Sequence, residues 1–277
     1  MHHSMNALLL IGHGSPDAAG NAEFLQFARD LAAHLGVVTQ PCFLELAEPS
    51  IGEGLDRCVA AGAQQIVALP LFLGPGRHQK RDVPDLLVDA RARHRGIMLR
   101  YGAPLGPQLH LVEALVDRAA EAVATSTHMV PLERTALLVV GRGSMDPQSN
   151  AELPRLARLI YEGRDYGLVE YGFQSVVAPG VGEAIARCAK LGAQRVVVLP
   201  YVLFTGSVCN DIAEQAHAAQ VRFPELEVLI GERLFPHHGL LAAAALRYRE
   251  IIAGTVAMTC DLCIYRQRAS NEEEAPW

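Results

Sequence analysis

Residues 8–31 read LLLIGHGSPDAAGNAEFLQFARDL, and residues 137–160 read LLVVGRGSMDPQSNAELPRLARLI. In one register Gly12, Gly14, Ser15, Asp17, Asn21, Glu23 and Arg29 fall on Gly141, Gly143, Ser144, Asp146, Asn150, Glu152 and Arg158. One inserted residue later, Arg57, Cys58, Gly62, Ala63, Gln64, Leu69 and Pro70 fall on Arg187, Cys188, Gly192, Ala193, Gln194, Leu199 and Pro200. The chain is therefore a tandem duplication, and each half must close a core of the same design. The copies differ in chemistry. His13 falls on Arg142 and His78 on Val208, so two histidines stand at equivalent loop ends of one copy and are replaced in the other. This pattern predicts one active half and one supporting half.

Each half alternates short apolar runs with longer amphipathic stretches, the pattern of a parallel sheet covered by helices. Strands are expected over 7–11, 38–44, 65–71 and 97–101, with helices over 19–34, 50–61, 82–93 and 108–124. In the second half strands are expected over 136–140, 168–173, 195–202 and 227–230, and helices over 150–161, 181–190, 210–221 and 238–252. Gly36 and Gly62 punctuate helix ends, and Pro49 before Ser50 marks a helix start. The expected division is a first lobe over 1–126, a degenerate repeat lobe over 127–256 and a cysteine-containing tail over 257–277. The fold class is α/β, with a four-stranded parallel sheet in each lobe and helices on both faces.

Composition narrows the function. Of 277 residues 50% are hydrophobic, and the formal net charge is −6, which gives no reason to expect nucleic acid or an anionic membrane surface as partner. There is no apolar run of membrane-spanning length. The N-terminal residues do not read as a signal peptide, and His2 and His3 lie outside the repeat. Cys42, Cys58, Cys188 and Cys209 fall in apolar patterns and read as buried reduced thiols. The expected location is cytoplasmic.

Gly12-His13-Gly14-Ser15 follows the first strand, Glu45 closes the second, and Leu73-Gly74-Pro75-Gly76-Arg77-His78 follows the third. All three lie at carboxyl ends of parallel strands. With strand order 2-1-3-4, a crevice opens there between the first and third strands, where ligands bind. Two imidazoles and a carboxylate suit a first-row divalent metal such as Co, Ni, Fe or Zn, or general-base work near neutral pH. Glu48 competes with Glu45 for that role. Arg77, Lys80 and Arg81 read either as a solvated helix start or as a positive edge that steers a polycarboxylate. His94, His110, His128, His217, His237 and His238 read as structural. Phosphate-loop, dinucleotide and nucleophile-elbow motifs are missing.

Three segments then carry a resemblance. GHGS after the first strand, FLELAEPS at 43–50 and LPLFLGPGRHQKRDVPD at 69–85 resemble the class II chelatases of tetrapyrrole synthesis, most of all the long two-domain sirohydrochlorin chelatases. GRGSMDP at 141–147, LPYVLFTG at 199–206 and CNDI at 209–212 extend the resemblance into the second half. GHGS alone is weak; together with H-x₃-D-[IV]-P it is fairly specific. The resemblance implies two flavodoxin-like lobes facing across a cleft. It implies that His13 and His78 bind the incoming metal, and that Glu45 assists metal delivery or pyrrole deprotonation. Gly14, Ser15, Glu45 and the loop Leu73, Gly74, Pro75, Gly76, Arg77 would meet the macrocycle. It implies ATP-independent insertion of Co²⁺ into sirohydrochlorin for cobalamin synthesis. Fe²⁺ insertion for siroheme, Ni²⁺ as a further metal, and a non-catalytic metal or tetrapyrrole carrier are the alternatives. A homodimer is an expected assembly.

Cys260 and Cys263, in Met-Thr-Cys-Asp-Leu-Cys, resemble a C-terminal segment of long cobaltochelatases that is associated with an iron–sulfur cluster. Two cysteines leave a four-iron cluster short of ligands, so other groups or another subunit would complete it; the alternative is a pair of tail thiols able to form a disulfide.

Overall fold

A computed structural model describes residues 6–254 of the chain. The first four-stranded sheet is built from β1 (Asn6–Gly12), β2 (Val38–Phe43), β3 (Gln65–Pro70) and β4 (Met98–Tyr101) in the order β2-β1-β3-β4. The second uses β5 (Thr135–Gly141), β6 (Leu168–Phe173), β7 (Arg195–Pro200) and β8 (Glu227–Ile230) in the order β6-β5-β7-β8. All pairs are parallel. The expected order and class are what the chain adopts. The central strands read as unbroken apolar runs because both faces are covered: Ala7, Leu8, Leu9, Leu10 and Ile11 are all fully buried.

Between the strands lie α1 (Ala18–Leu35), α2 (Ile51–Ala60), α3 (Val83–Ala92), α4 (Leu109–Ala124), α5 (Pro147–Tyr161), α6 (Val181–Lys190), α7 (Ser207–Arg222) and α8 (His238–Ala253). One face of the first sheet presents Ala7, Leu9 and Ile11 to Ile51, Leu55 and Cys58 of α2 and to Val83, Leu87 and Ala90 of α3. The second sheet repeats this with Ala136, Leu138 and Val140 against Val181, Ile185 and Cys188 of α6 and Ile212, Ala216 and Ala219 of α7. Burying a Leu, Ile or Val side chain contributes about 1.5–3 kcal/mol, so these alternating rows fix each strand's face. α2 starts with Ser50 as N-cap in a capping box with Glu53. Pro49 stands just outside, and its carbonyl accepts from Phe43 N–H at 2.8 Å. The helix thus starts where the Pro49-Ser50 pair marks it, with the proline just before the cap instead of at the first helical position.

The compact units are composed differently from the repeats. One unit holds 6–16, 24–106 and 244–254 of the described residues, and the other holds 17–23 and 107–243. In the first unit Arg247 of α8 donates to the carbonyls of Pro104 and Leu105, and Arg100 donates to those of Ile251 and Ile252. In the second, Arg118 of α4 donates to the carbonyls of Arg233 and Pro236. Each arginine is paired three residues on, Arg118 with Glu121 and Arg247 with Glu250. The last helix of each repeat thus completes the sheet built by the other repeat.

Candidate metal centre

The site lies in the first unit, at the carboxyl ends of β1, β2 and β3. His13 follows β1 directly. The ladder runs on past the strand ends, with Leu44 N–H donating to Gly12 O at 2.9 Å and Glu45 N–H to His13 O at 3.1 Å. Gly14, at φ +89°, lets the two loops touch: a Cβ there would stand 1.7 Å from Glu45 O. No other residue fits this position. Leu46 next to it holds φ +63° and is 62% exposed, a backbone conformation that costs a side-chain-bearing residue on the order of 1–3 kcal/mol.

The third strand's loop, Leu73–Arg77, leads into a π-turn over His78–Asp82. Val83 N–H reaches back to His78 O. The next carbonyl, that of Gln79, has no helical donor because residue 84 is proline; Tyr101 Oη donates to it at 2.8 Å. Gln79 is itself buried and its side-chain amide donates to Gly102 O at 2.9 Å. The turn is thus pinned to the end of β4 with His78 on its outer side.

These elements bring the expected residues together. The ligand atoms of His13, Glu45 and His78 all lie within 4.8 Å of one another. The two imidazole rings meet edge to face with centroids 4.8 Å apart, and His13 Nε2 lies 3.5 Å from Glu45 Oε1. Glu48 donates nothing to the group; it accepts from Ser50 N–H at 3.1 Å. Partners set the tautomers. His78 Nδ1 lies 2.8 Å from Asp82 Oδ2, and His13 Nδ1 lies 3.2 Å from Gly14 O. The Asp82 carboxylate only accepts, so His78 Nδ1 carries a proton and, in the neutral ring, Nε2 is the nitrogen left with a lone pair. Two imidazoles and a carboxylate with ligand atoms this close form a donor set that a cation would complete.

Among the described residues a second group has similar composition, Asp117, His237 and His238, in the other unit. Its hydrogen bonds are opposite in sense. Gly239 N–H donates to His237 Nδ1 at 3.0 Å, so this nitrogen is the acceptor and the ring proton sits on Nε2. That proton points at Asp117 Oδ2, 3.3 Å away. A metal at Nε2 would have to displace it. Burial, with His238 and Arg118 nearby, holds the His237 pKa below its ordinary value. His237 caps α8, in line with the structural reading of these histidines.

Of the remaining candidates, Gly14 and Ser15 border the site in the loop after β1, and Leu73, Gly74, Pro75 and Gly76 are half-buried in the loop after β3. Arg77 is exposed, with Nε 3.4 Å from Asp82 Oδ1, and Arg81 Nε lies 3.8 Å from Asp85. Cys42, Cys58 and Cys188 are buried free thiols; burial pushes Cys58 up to about 11 and Cys188 to about 12. Cys260 and Cys263 lie outside the described residues. No helix among the described residues is long and apolar enough to cross a membrane.

The CbiX family model matches twice, over residues 7–122 and 136–251. The chain belongs to the CbiX family. The double match is the duplication seen in the sequence. A sirohydrochlorin cobaltochelatase of Priestia megaterium is 36% identical over 266 residues, covering 95% of this chain and 86% of that one. A sirohydrochlorin ferrochelatase of the same organism is 31% identical, covering 85% and 86%. Among solved structures, SirB from Bacillus subtilis with Fe³⁺ matches with a TM-score of 0.81 and 29% identity, covering 91% of this chain and 97% of that one.

Sequence reasoning met Asp82 only as the aspartate of the H-x₃-D-[IV]-P motif, with no role assigned, and passed over Leu46 and the exchange of α4 and α8. Asp82 had a signal. The buried positions Val83, Leu87 and Ala90 correspond to Ile212, Ala216 and Ala219, one residue out of step with the pairing of His78 and Val208. The first half therefore holds one extra residue between His78 and Val83, and it is the residue that makes the π-turn.

Proposed function

We propose that this protein is a sirohydrochlorin chelatase that inserts Co²⁺ through His13, Glu45 and His78. The observation that carries the reading is the convergence of ligand atoms from two imidazoles and a carboxylate within 4.8 Å, in a chain of the CbiX family. Insertion of M²⁺ into a free macrocycle releases two pyrrole N–H protons. His13 and His78 hold the ion by an open, exchangeable ligand set, which surrenders it more readily than a closed four-ligand cage. Glu45, half exposed and 3.5 Å from His13, accepts one of these protons as the metal leaves its protein ligands, and an imidazole freed of the metal accepts the other. Gly14, Ser15 and Leu73–Arg77 line the macrocycle's approach. Arg77 offers a charge to its carboxylates.

Cobalt is favoured over iron because the cobaltochelatase relative is more similar over more of the chain. Imidazole and carboxylate do not themselves separate Co²⁺, Fe²⁺ and Ni²⁺, so the metal is decided by rates. The test is anaerobic absorbance of sirohydrochlorin with each metal, comparing the wild type with His13→Ala and His78→Ala. Catalysed conversion lost in both variants, fastest with Co²⁺, is the expected result. Faster Fe²⁺ insertion would make the protein a ferrochelatase, and binding without turnover would make it a carrier.

A further inference from the structure

We infer that Asp82, delivered by the π-turn, is a positioning residue that locks His78 in the tautomer able to take a metal. The inference rests on the chelatase reading for its purpose, but its physical content stands on His78 alone. Asp82 Oδ2 accepts from His78 Nδ1–H at 2.8 Å, and its other oxygen, Oδ1, faces Arg77 Nε at 3.4 Å. Both oxygens are therefore oriented, and the carboxylate sits at 24% exposure against 40% for the imidazole. A histidine ring without such an acceptor favours the tautomer with its proton on Nε2, which is the nitrogen that must be bare.

Two contrasts within the chain support a built arrangement. His237 has the opposite hydrogen bond at Nδ1, from a backbone N–H, and so holds the tautomer unsuited to a metal at Nε2. In the second half the inserted residue is missing. Ser207–Arg222 is there an unbroken α-helix, and Asp211, the counterpart of Asp82 in the register of the buried rows, accepts from Gln174 Nε2 at 2.7 Å. The acid is present in both halves and serves a histidine only where the extra residue is present. A carboxylate behind a metal-binding histidine fixes ring orientation and raises its basicity, and its loss typically costs about 10–100-fold in metal affinity or activity.

The test uses the full chain labelled with ¹⁵N-histidine, free of metal, alongside Asp82→Ala, Asp82→Leu and Asp82→Glu; His78→Ala assigns the signals. Two-bond ¹H–¹⁵N correlation reads the tautomer directly. Wild type is expected to show His78 with a bare Nε2; Asp82→Ala and Asp82→Leu shift it to a protonated Nε2, and Asp82→Glu restores the original pattern at least in part. Co²⁺ titration of the same samples should weaken about 10–100-fold in the first two variants, with KM for the tetrapyrrole unchanged. If Asp82→Ala does not fold, Asp82→Leu, closer in size, carries the comparison. His78 unchanged in tautomer, with Co²⁺ affinity within about twofold, would overturn the inference. Wild type that binds Co²⁺ in an Asp82-dependent way yet inserts no metal would end the chelatase reading and leave the positioning role standing.

Discussion

At the ends of the first three strands the first half carries His13, Glu45 and His78, and the second carries Arg142, Ser175 and Val208 in the same places. The backbones beneath are nearly superposable in their bonding. Ser175 N–H donates to Arg142 O at 3.0 Å as Glu45 N–H does to His13 O, and Phe173 N–H reaches Pro179 O at 2.8 Å as Phe43 N–H reaches Pro49 O. Gly143 must be glycine for the reason Gly14 must, since its Cβ would stand 2.1 Å from Ser175 O. Val176 even repeats the positive φ of Leu46, although a β-branched residue resists it. The loop scaffold is common to both halves, so it does not by itself make a metal site. On the proposed reading, three donor side chains and one inserted residue in the turn after β3 make the difference.

That comparison breaks most readily at the donors. His78→Ala should lower metal insertion by about a hundredfold or more, whereas Arg142→Ala should leave Co²⁺ affinity unchanged; equal losses in initial rate and in Co²⁺ binding would show that the second half also holds metal. Glu45→Gln is expected to reduce kcat by about 10–100-fold, at the low end for a positioned proton acceptor, while Ser175→Ala has no effect on kcat. A Glu45→Gln enzyme with full kcat and only weaker metal binding would make Glu45 a ligand and leave proton acceptance to the histidines.

The scaffold gives predictions of similar size in both units. Arg247→Ala and Arg118→Ala each remove charged hydrogen bonds to partly buried carbonyls, and each should cost about 1.5–3 kcal/mol per bond lost at most. Urea unfolding of the two variants should show matching losses; a loss confined to one would mean that the exchanged helices are not energetically equivalent. The smallest expected effect concerns pH. His237 has a folded pKa held below its ordinary value by burial first and by His238 and Arg118 after it, so the unfolded chain binds the proton first on acidification. Its contribution is intact above the ordinary imidazole pKa of about 6.5 and is lost as pH falls through the folded value. Thermal melts across this window should show a fall in Tm at acid pH that shrinks in His237→Gln; an unchanged slope would remove His237 from the balance.

Much of this was legible in the residues. The strands were readable because a parallel sheet buried on both faces leaves unbroken apolar runs such as Ala7–Ile11 and Ala136–Val140, and sites at carboxyl strand ends follow from topology. The exchange of α4 and α8 was not readable. Both helices are amphipathic, both carry an Arg–Glu pair three residues apart, and the pattern is the same whichever sheet receives it. The π-turn was visible only as a one-residue slip against the second half and a proline at position 84. Tautomers depend on which group faces Nδ1: the H-x₃-D spacing placed Asp82 near His78 without showing that it meets Nδ1, and nothing in the sequence marked the backbone N–H that meets His237.

Anomalous diffraction at the cobalt edge from crystals soaked in Co²⁺ tests the central claim most directly. The account predicts one strong peak about 2.1 Å from the Nε2 atoms of His13 and His78, with Glu45 beside it and none at Asp117, His237 and His238. A peak at the second cluster, or none at the first, would contradict it.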